Sequence, residues 1–144
     1  MGDAAFFWGG AAPPALLPAG VEQLKTVRAL TEKRWEVLAL SSAGCRLLAD
    51  APEAVCACGT VLLPSNWSCL TVRQVRAERV VSCGLSPRDS LTFSSMGDRD
   101  AVVCVQRALI RPDGSQVEPQ ELPVDCLNGQ TEDLLAVIGL GLLL

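Results

Sequence analysis

The chain contains no histidine and no tyrosine, only three phenylalanines and three tryptophans, and two lysines, Lys25 and Lys33. Each shortage excludes a class of chemistry. Without histidine there is no Ser-His or Cys-His nucleophile pair and no imidazole ligand, so the commonest general base and the commonest metal donor drop out together. With lysine confined to positions 25 and 33, no Gly-x-x-x-x-Gly-Lys-Ser/Thr phosphate loop is present. The twelve basic residues are scattered, with only Lys33 and Arg34 adjacent, in a chain of net charge −4, which leaves no stripe able to neutralise a row of phosphates. Nucleic acid is therefore not an expected partner. Nor is a membrane, because the two most apolar stretches are too interrupted (residues 1–20) or too short (the final helix) to span a bilayer.

What is present is the material of one domain. A length of 144 residues with 49% hydrophobic and 19% charged side chains is enough to bury a core. Residues 1–20 carry Asp3 and no basic residue before Lys25, so the positive start of a signal peptide is missing. They read as an apolar arm, with a strand around Phe6 to Trp8, docking on a domain that spans residues 21–144. A cytoplasmic setting follows, and in it the seven cysteines are expected as reduced thiols.

Periodicity orders the rest. Val21, Leu24, Val27, Ala29 and Leu30 recur at helical steps and predict a helix from Val21 to Lys33. Trp35 to Leu40 is apolar on both parities, as in a central strand covered on two faces. A helix is expected from Cys45 through Ala49, a second strand over Thr60 to Leu63, a helix from Cys69 to Ala77 capped by Ser68, and a third strand over Val80 to Cys83. Strands separated by helices imply right-handed crossovers and a parallel sheet. After Gly84 the period becomes two, with a short strand over Ser90 to Ser95 and a ribbon closing on Pro112-Asp113-Gly114. Pro119 and Pro123 confine the return strand, Val117 to Val124, to an edge. Thr131-Glu132-Asp133 opens a last helix that runs to Leu144. The expected fold is α/β: a small three-layer domain with a mainly parallel sheet in its first half and an antiparallel ribbon in its second.

Three groups could carry chemistry. Ser41, Ser42 and Gly44 form a small polar loop between a strand and a helix, where unpaired N–H groups can hold a small-molecule ligand, although a plain connection is the commoner use of such a loop. Cys83, Ser86, Arg88 and Asp89 follow a strand at the end where α/β sheets place their sites, with Arg88 as the neighbour that would activate the thiol. Cys45, Cys56, Cys58 and Cys69 could in principle hold a metal, but Cys-x-Cys with partners eleven residues away departs from the repeated Cys-x2-Cys knuckle. No cofactor is implied. The last helix is apolar nearly all round and needs cover from the sheet or from a second copy, so a homodimer contact through it is expected.

Arg79-Val80-Val81-Ser82-Cys83-Gly84-Leu85-Ser86, the ribbon, Leu122-Pro123-Val124, Gly129 and the Leu134-Leu135-Ala136 helix together resemble the latter part of the central domain of the Mur ligase family. The resemblance covers residues 79–140, and its motifs are loose. It implies kinship with bacterial ATP-dependent amide-forming ligases of cell-wall synthesis. The family's phosphate loop is missing, and Asn128-Gly129-Gln130 stands where a His-Asn pair is usual, so no catalytic residue carries over. The expected function is a non-catalytic binding or assembly module related to those domains. The alternatives are a small enzyme working through the Cys83 to Asp89 loop and a cysteine-bound metal carrier.

Overall fold

Successive residues of one strand point into two different cores. In the strand Trp35–Leu40 (β3), Val37 and Ala39 face one apolar cluster while Leu38 and Leu40 face another, and all four are inaccessible to solvent. A strand buried on both faces needs a layer on each side of its sheet. The computed structural model, which describes residues 3–9, 17–98, 100–125 and 131–144, supplies both. Asn128-Gly129-Gln130 of the family resemblance, and Cys126, lie outside the described residues.

The sheet has eight strands. Ala4–Phe7 (β1), Val21–Leu24 (β2), β3, Cys56–Pro64 (β4), Val75–Cys83 (β5) and Leu91–Met96 (β6) run parallel to one another. Asp100–Val105 (β7) and a later strand, Gln120–Asp125 (β10), add antiparallel pairs. Their spatial order is β2-β1-β3-β4-β5-β6-β7-β10. The antiparallel part therefore extends the parallel sheet instead of folding over it, joined through the single pair Cys83 with Leu91. Between β7 and β10 the chain forms a separate ribbon of Leu109–Ile110 (β8) and Gln116–Val117 (β9), closed by the Arg111 to Gly114 turn with Gly114 at φ +89°. Pro123 does sit on an edge strand, as a residue without an N–H should.

Val27–Thr31 (α1), Ser42–Ala49 (α2) and Leu70–Arg73 (α3) flank one face, and Leu30, Leu48 and Leu70 enter its core. Thr131–Leu143 (α4) covers the other with Leu135, Ala136, Leu140 and Leu143. The fold class is the mixed α/β domain that the periodicity predicts. Among the described residues no helix is long and apolar enough to cross a membrane.

Three local expectations are corrected. Residues 4–7 do not form an arm: β1 lies between β2 and β3, and Ala5, Phe6 and Phe7 are fully buried. The helix expected from Val21 begins only after Thr26, whose hydroxyl accepts the Ala29 N–H at 3.1 Å; before it, Val21 to Leu24 pair with β1 as an edge strand. The helix expected from Cys69 to Ala77 stops at Arg73, because Val75 and Ala77 take up strand pairing with Cys56 and Cys58. Cys69, not Ser68, occupies its N-cap position, and no side chain caps it. The last helix, expected to need cover from the sheet or from a second copy, packs Leu135, Ala136, Leu140 and Leu143 on its own sheet.

At the start of β3 the N–H groups of Glu36 and Val37 both donate to the Asp3 carbonyl, at 2.8 and 3.3 Å, and Trp35 and Leu38 enter the same core although three residues apart. Gln74, 5% exposed, ties the α2 layer to the sheet by donating to the carbonyls of Leu48, Ala51 and Ala54 at 2.7–3.1 Å.

The seating of α4 is testable at its two glycines. A Cβ on Gly139 would collide with the buried side chains of Leu62 and Leu91, whereas one on Gly141 meets nothing closer than Pro18 Cγ at 3.9 Å. Gly139→Val is expected to lower stability by about 1–3 kcal/mol through overpacking. Gly141→Ala should raise it by up to about 1 kcal/mol through helix propensity. Urea midpoints of the two variants check both signs.

Candidate functional site

The strand order reverses between β1 and β3. The chain steps outward from β1 to β2, then crosses back to β3 on the other side of β1. In open α/β sheets such a reversal, outside the carboxyl ends of the strands, is where ligands settle. Phe7 ends β1 and Leu40 ends β3, so Trp8, Gly9 and Ser41 stand at these two carboxyl ends.

These residues are locked to one another. Ser41, 1% exposed, donates its hydroxyl to the Trp8 carbonyl at 2.6 Å and accepts the Gly44 N–H at 2.9 Å, while its own carbonyl accepts the Cys45 N–H at 2.8 Å. It is an N-cap that also pins the helix to the end of β1. Gly44 is required by that contact, since a Cβ there would strike the Phe7 carbonyl. Gly9, at φ +62°, lies against Gly44 in turn. Within the expected trio Ser41, Ser42 and Gly44, the cap hydroxyl and the Gly44 N–H are thus already used inside the chain. Trp8 is different. Its main chain is bonded on both sides, with its N–H donating to the Leu24 carbonyl at 2.8 Å, but its buried indole Nε1 has no acceptor among the described residues.

The second expected group lies at the carboxyl end of β5. Asp89, 2% exposed, accepts the Ser86 N–H at 3.0 Å, and Ser86 Oγ accepts the Arg88 N–H at 3.1 Å. Gln106 Nε2 donates to the Ser86 and Asp89 carbonyls at 3.1 and 2.6 Å, fastening the loop to the end of β7. Cys83 is 1% exposed, and burial, reinforced by the Asp89 carboxylate, pushes its thiol from 9.0 up to about 12. Arg88 was the activating neighbour expected from sequence. The charge that acts on Cys83 is Asp89, which opposes ionisation, so the thiol stays protonated at neutral pH.

The third group falls into two pairs, Cys45 feeling the charge of Cys69 and Cys58 that of Cys56. Cys56 and Cys58 face the α1–α3 core, Cys45 is buried on α2, and Cys69 is exposed at the start of α3. Burial raises Cys45 and Cys58 to about 12 and Cys56 to about 11. Among the described residues no set of three or more His, Cys, Asp or Glu side chains could hold a metal ion.

At the opposite, amino end of the sheet a cavity of about 460 Å³ opens between Ala4, Glu36, Arg111, Asp113 and Leu143. Its polar groups serve the fold: Arg111 Nε donates to the Leu142 carbonyl at 2.9 Å, and Asp113 accepts the Ser115 hydroxyl at 2.6 Å.

Comparison of the chain with family models, curated proteins and solved structures found no match.

Sequence reasoning passed over Trp8, Gly9 and Gln106. A tryptophan followed by Gly9-Gly10 at the close of an apolar run was the signal for a strand leaving the sheet beside its neighbour's loop.

Two outcomes follow from the buried thiols. Iodoacetamide at pH 7 on the folded, reduced protein should label Cys69 and leave Cys45, Cys56, Cys58 and Cys83 unmodified, as read by peptide mapping. Because the folded thiols hold their protons to about 11 or 12 while unfolded ones release them near 9, the unfolded state gains from ionisation first. Stability is therefore full below pH 9 and falls above it, by up to about 1.4 kcal/mol per pH unit for each thiol. Urea midpoints at pH 8 and pH 10 check the direction.

Proposed function

We propose that the chain is a non-catalytic binding or assembly module that takes a small-molecule ligand outside the carboxyl ends of β1 and β3. The observation that carries this reading is the strand order, since ligands of open α/β sheets settle outside the carboxyl ends where that order reverses. The non-catalytic part draws on how the reactive groups are employed. Cys83 is a protonated core residue, and Asp89 holds a turn. Kinship with Mur ligase central domains, in a form that has lost the phosphate loop, fits the same character. The free thiols fit a cytoplasmic setting. Assembly with a second copy would use the border of α4, where Leu134, Ile138 and Leu142 remain half-buried.

Native mass spectrometry of freshly purified, reduced protein tests the reading. A stoichiometric organic adduct or a dimer mass at micromolar concentration is the expected result. A bare monomer counts against it, and stoichiometric zinc or iron would replace it with the metal-carrier alternative.

A further inference from the structure

We infer that the open edge of β5 docks an extended acidic segment of a partner protein by strand addition. The inference goes beyond the small-molecule reading above and does not depend on it.

β5 is paired along its whole length on one side only. Its residues match β4 from Val75 with Cys56 to Cys83 with Pro64, whereas β6 meets it at Cys83 alone and then runs on past its end. On that side the main chain of Val75 to Val81 has no ladder partner among the described residues, over about 23 Å of strand. The sheet's outer edges are treated differently. β2 is four residues long and β10 carries Pro123, two ordinary ways of making an edge unreceptive to another strand. The open stretch of β5 is longer than β2 and contains no proline.

The side chains along this edge give the chemistry of its partner. Arg76, Glu78, Arg79 and Val80 are exposed. Glu78 is engaged by Arg34 at 3.4 Å, whereas Arg76 and Arg79 have no ion pair among the described residues. The register between β4 and β5 passes from Cys58 with Ala77 to Thr60 with Arg79, and the facing changes there. Val75 and Ala77 belong to the core beneath α1, α2 and α3, but Val81 and Cys83 belong to the core beneath α4. Arg76 and Arg79, three residues apart, therefore both project on the α4 side, with Val80 on the other.

A strand added to this edge would set alternate side chains beside the two guanidiniums. Carboxylates there form charge-assisted pairs, and basic groups are repelled. Two copies paired through the same edge would crowd their arginines together, which favours an acidic partner over a second copy. Main-chain pairing supplies affinity and the arginines select the sequence, the division of labour usual in strand addition.

The test titrates the full ¹⁵N-labelled protein with an acetylated, amidated Glu-Val-Glu-Val-Glu-Val-Glu peptide. Amide signals of Val75 to Val81 should move and their hydrogen exchange should slow. The Lys-Val counterpart should leave them in place, and so should the acidic peptide with alternate amides N-methylated, which keeps its charge but cannot pair. Arg76→Glu with Arg79→Glu should weaken the acidic peptide about tenfold, the order expected for losing two exposed ion pairs. An acidic peptide that moves none of these amides overturns the inference and leaves the arginines as protection of a bare edge. Equal binding of the lysine or the N-methylated peptide overturns it as well, as does full affinity in the doubly reversed variant. Protection of Val75 to Val81 that grows with protein concentration in the absence of peptide would give the edge to a second copy instead.

Discussion

The insertion of β1 between β2 and β3 is the constraint on which the structure depends. Four residues, Ala4 to Phe7, pair on both sides and send alternate side chains into both cores. Their pairing makes the strand order reverse, and the reversal is what marks the proposed site. The same strand end anchors the α2 layer, because the Phe7 and Trp8 carbonyls accept from Ser41 and Gly44 has no side chain to hold the helix away. Backbone pairing, helix capping and the location of the proposed site are thus consequences of one short apolar segment.

Much of this was legible in the sequence, and the failures share a cause. Trp35 to Leu40 could be read as a two-faced strand because no polar residue after Glu36 interrupts it, and Pro123 could be placed on an edge because it lacks an N–H. The Arg111 to Gly114 turn and the last helix were equally plain. The segments misread were those whose local pattern supports two answers. Val21 and Leu24 are three apart, which suits a helix, yet in a four-residue edge strand only Leu24 needs to be buried. Val75 and Ala77 continue a helical pattern from Leu70 until pairing with β4 claims them. An apolar opening segment likewise suits an arm or a central strand, and only long-range pairing decides between them.

The candidate site was legible in place but not in role. Serine and glycine after a strand marked where β3 hands over to α2, and Asp89 marked a turn after β5. What could not be read was that Ser41 spends its hydroxyl on the end of another strand, since that contact spans 33 residues of sequence. Nor could the sequence say that the charge felt by Cys83 comes from Asp89 and not Arg88, because side-chain direction within a turn follows from its hydrogen bonds. Trp8 was overlooked for a related reason. An orphan donor is defined by what surrounds it in space, and no residue pattern announces it.

The two faces of the sheet are completed at different points along the chain. The core beneath α1, α2 and α3 draws only on residues up to Val75, together with its partly buried border at Ala77. The core beneath α4 needs Leu135, Ala136, Leu140 and Leu143, the last helix of the chain. On a ribosome, one side of the sheet could therefore close while the other still showed Phe6, Val37, Ala39 and Leu62 to the surroundings. For the interval in which the ribbon and α4 are being made, this protein is a half-covered sheet with a broad apolar face, and that nascent species is the one a chaperone would meet.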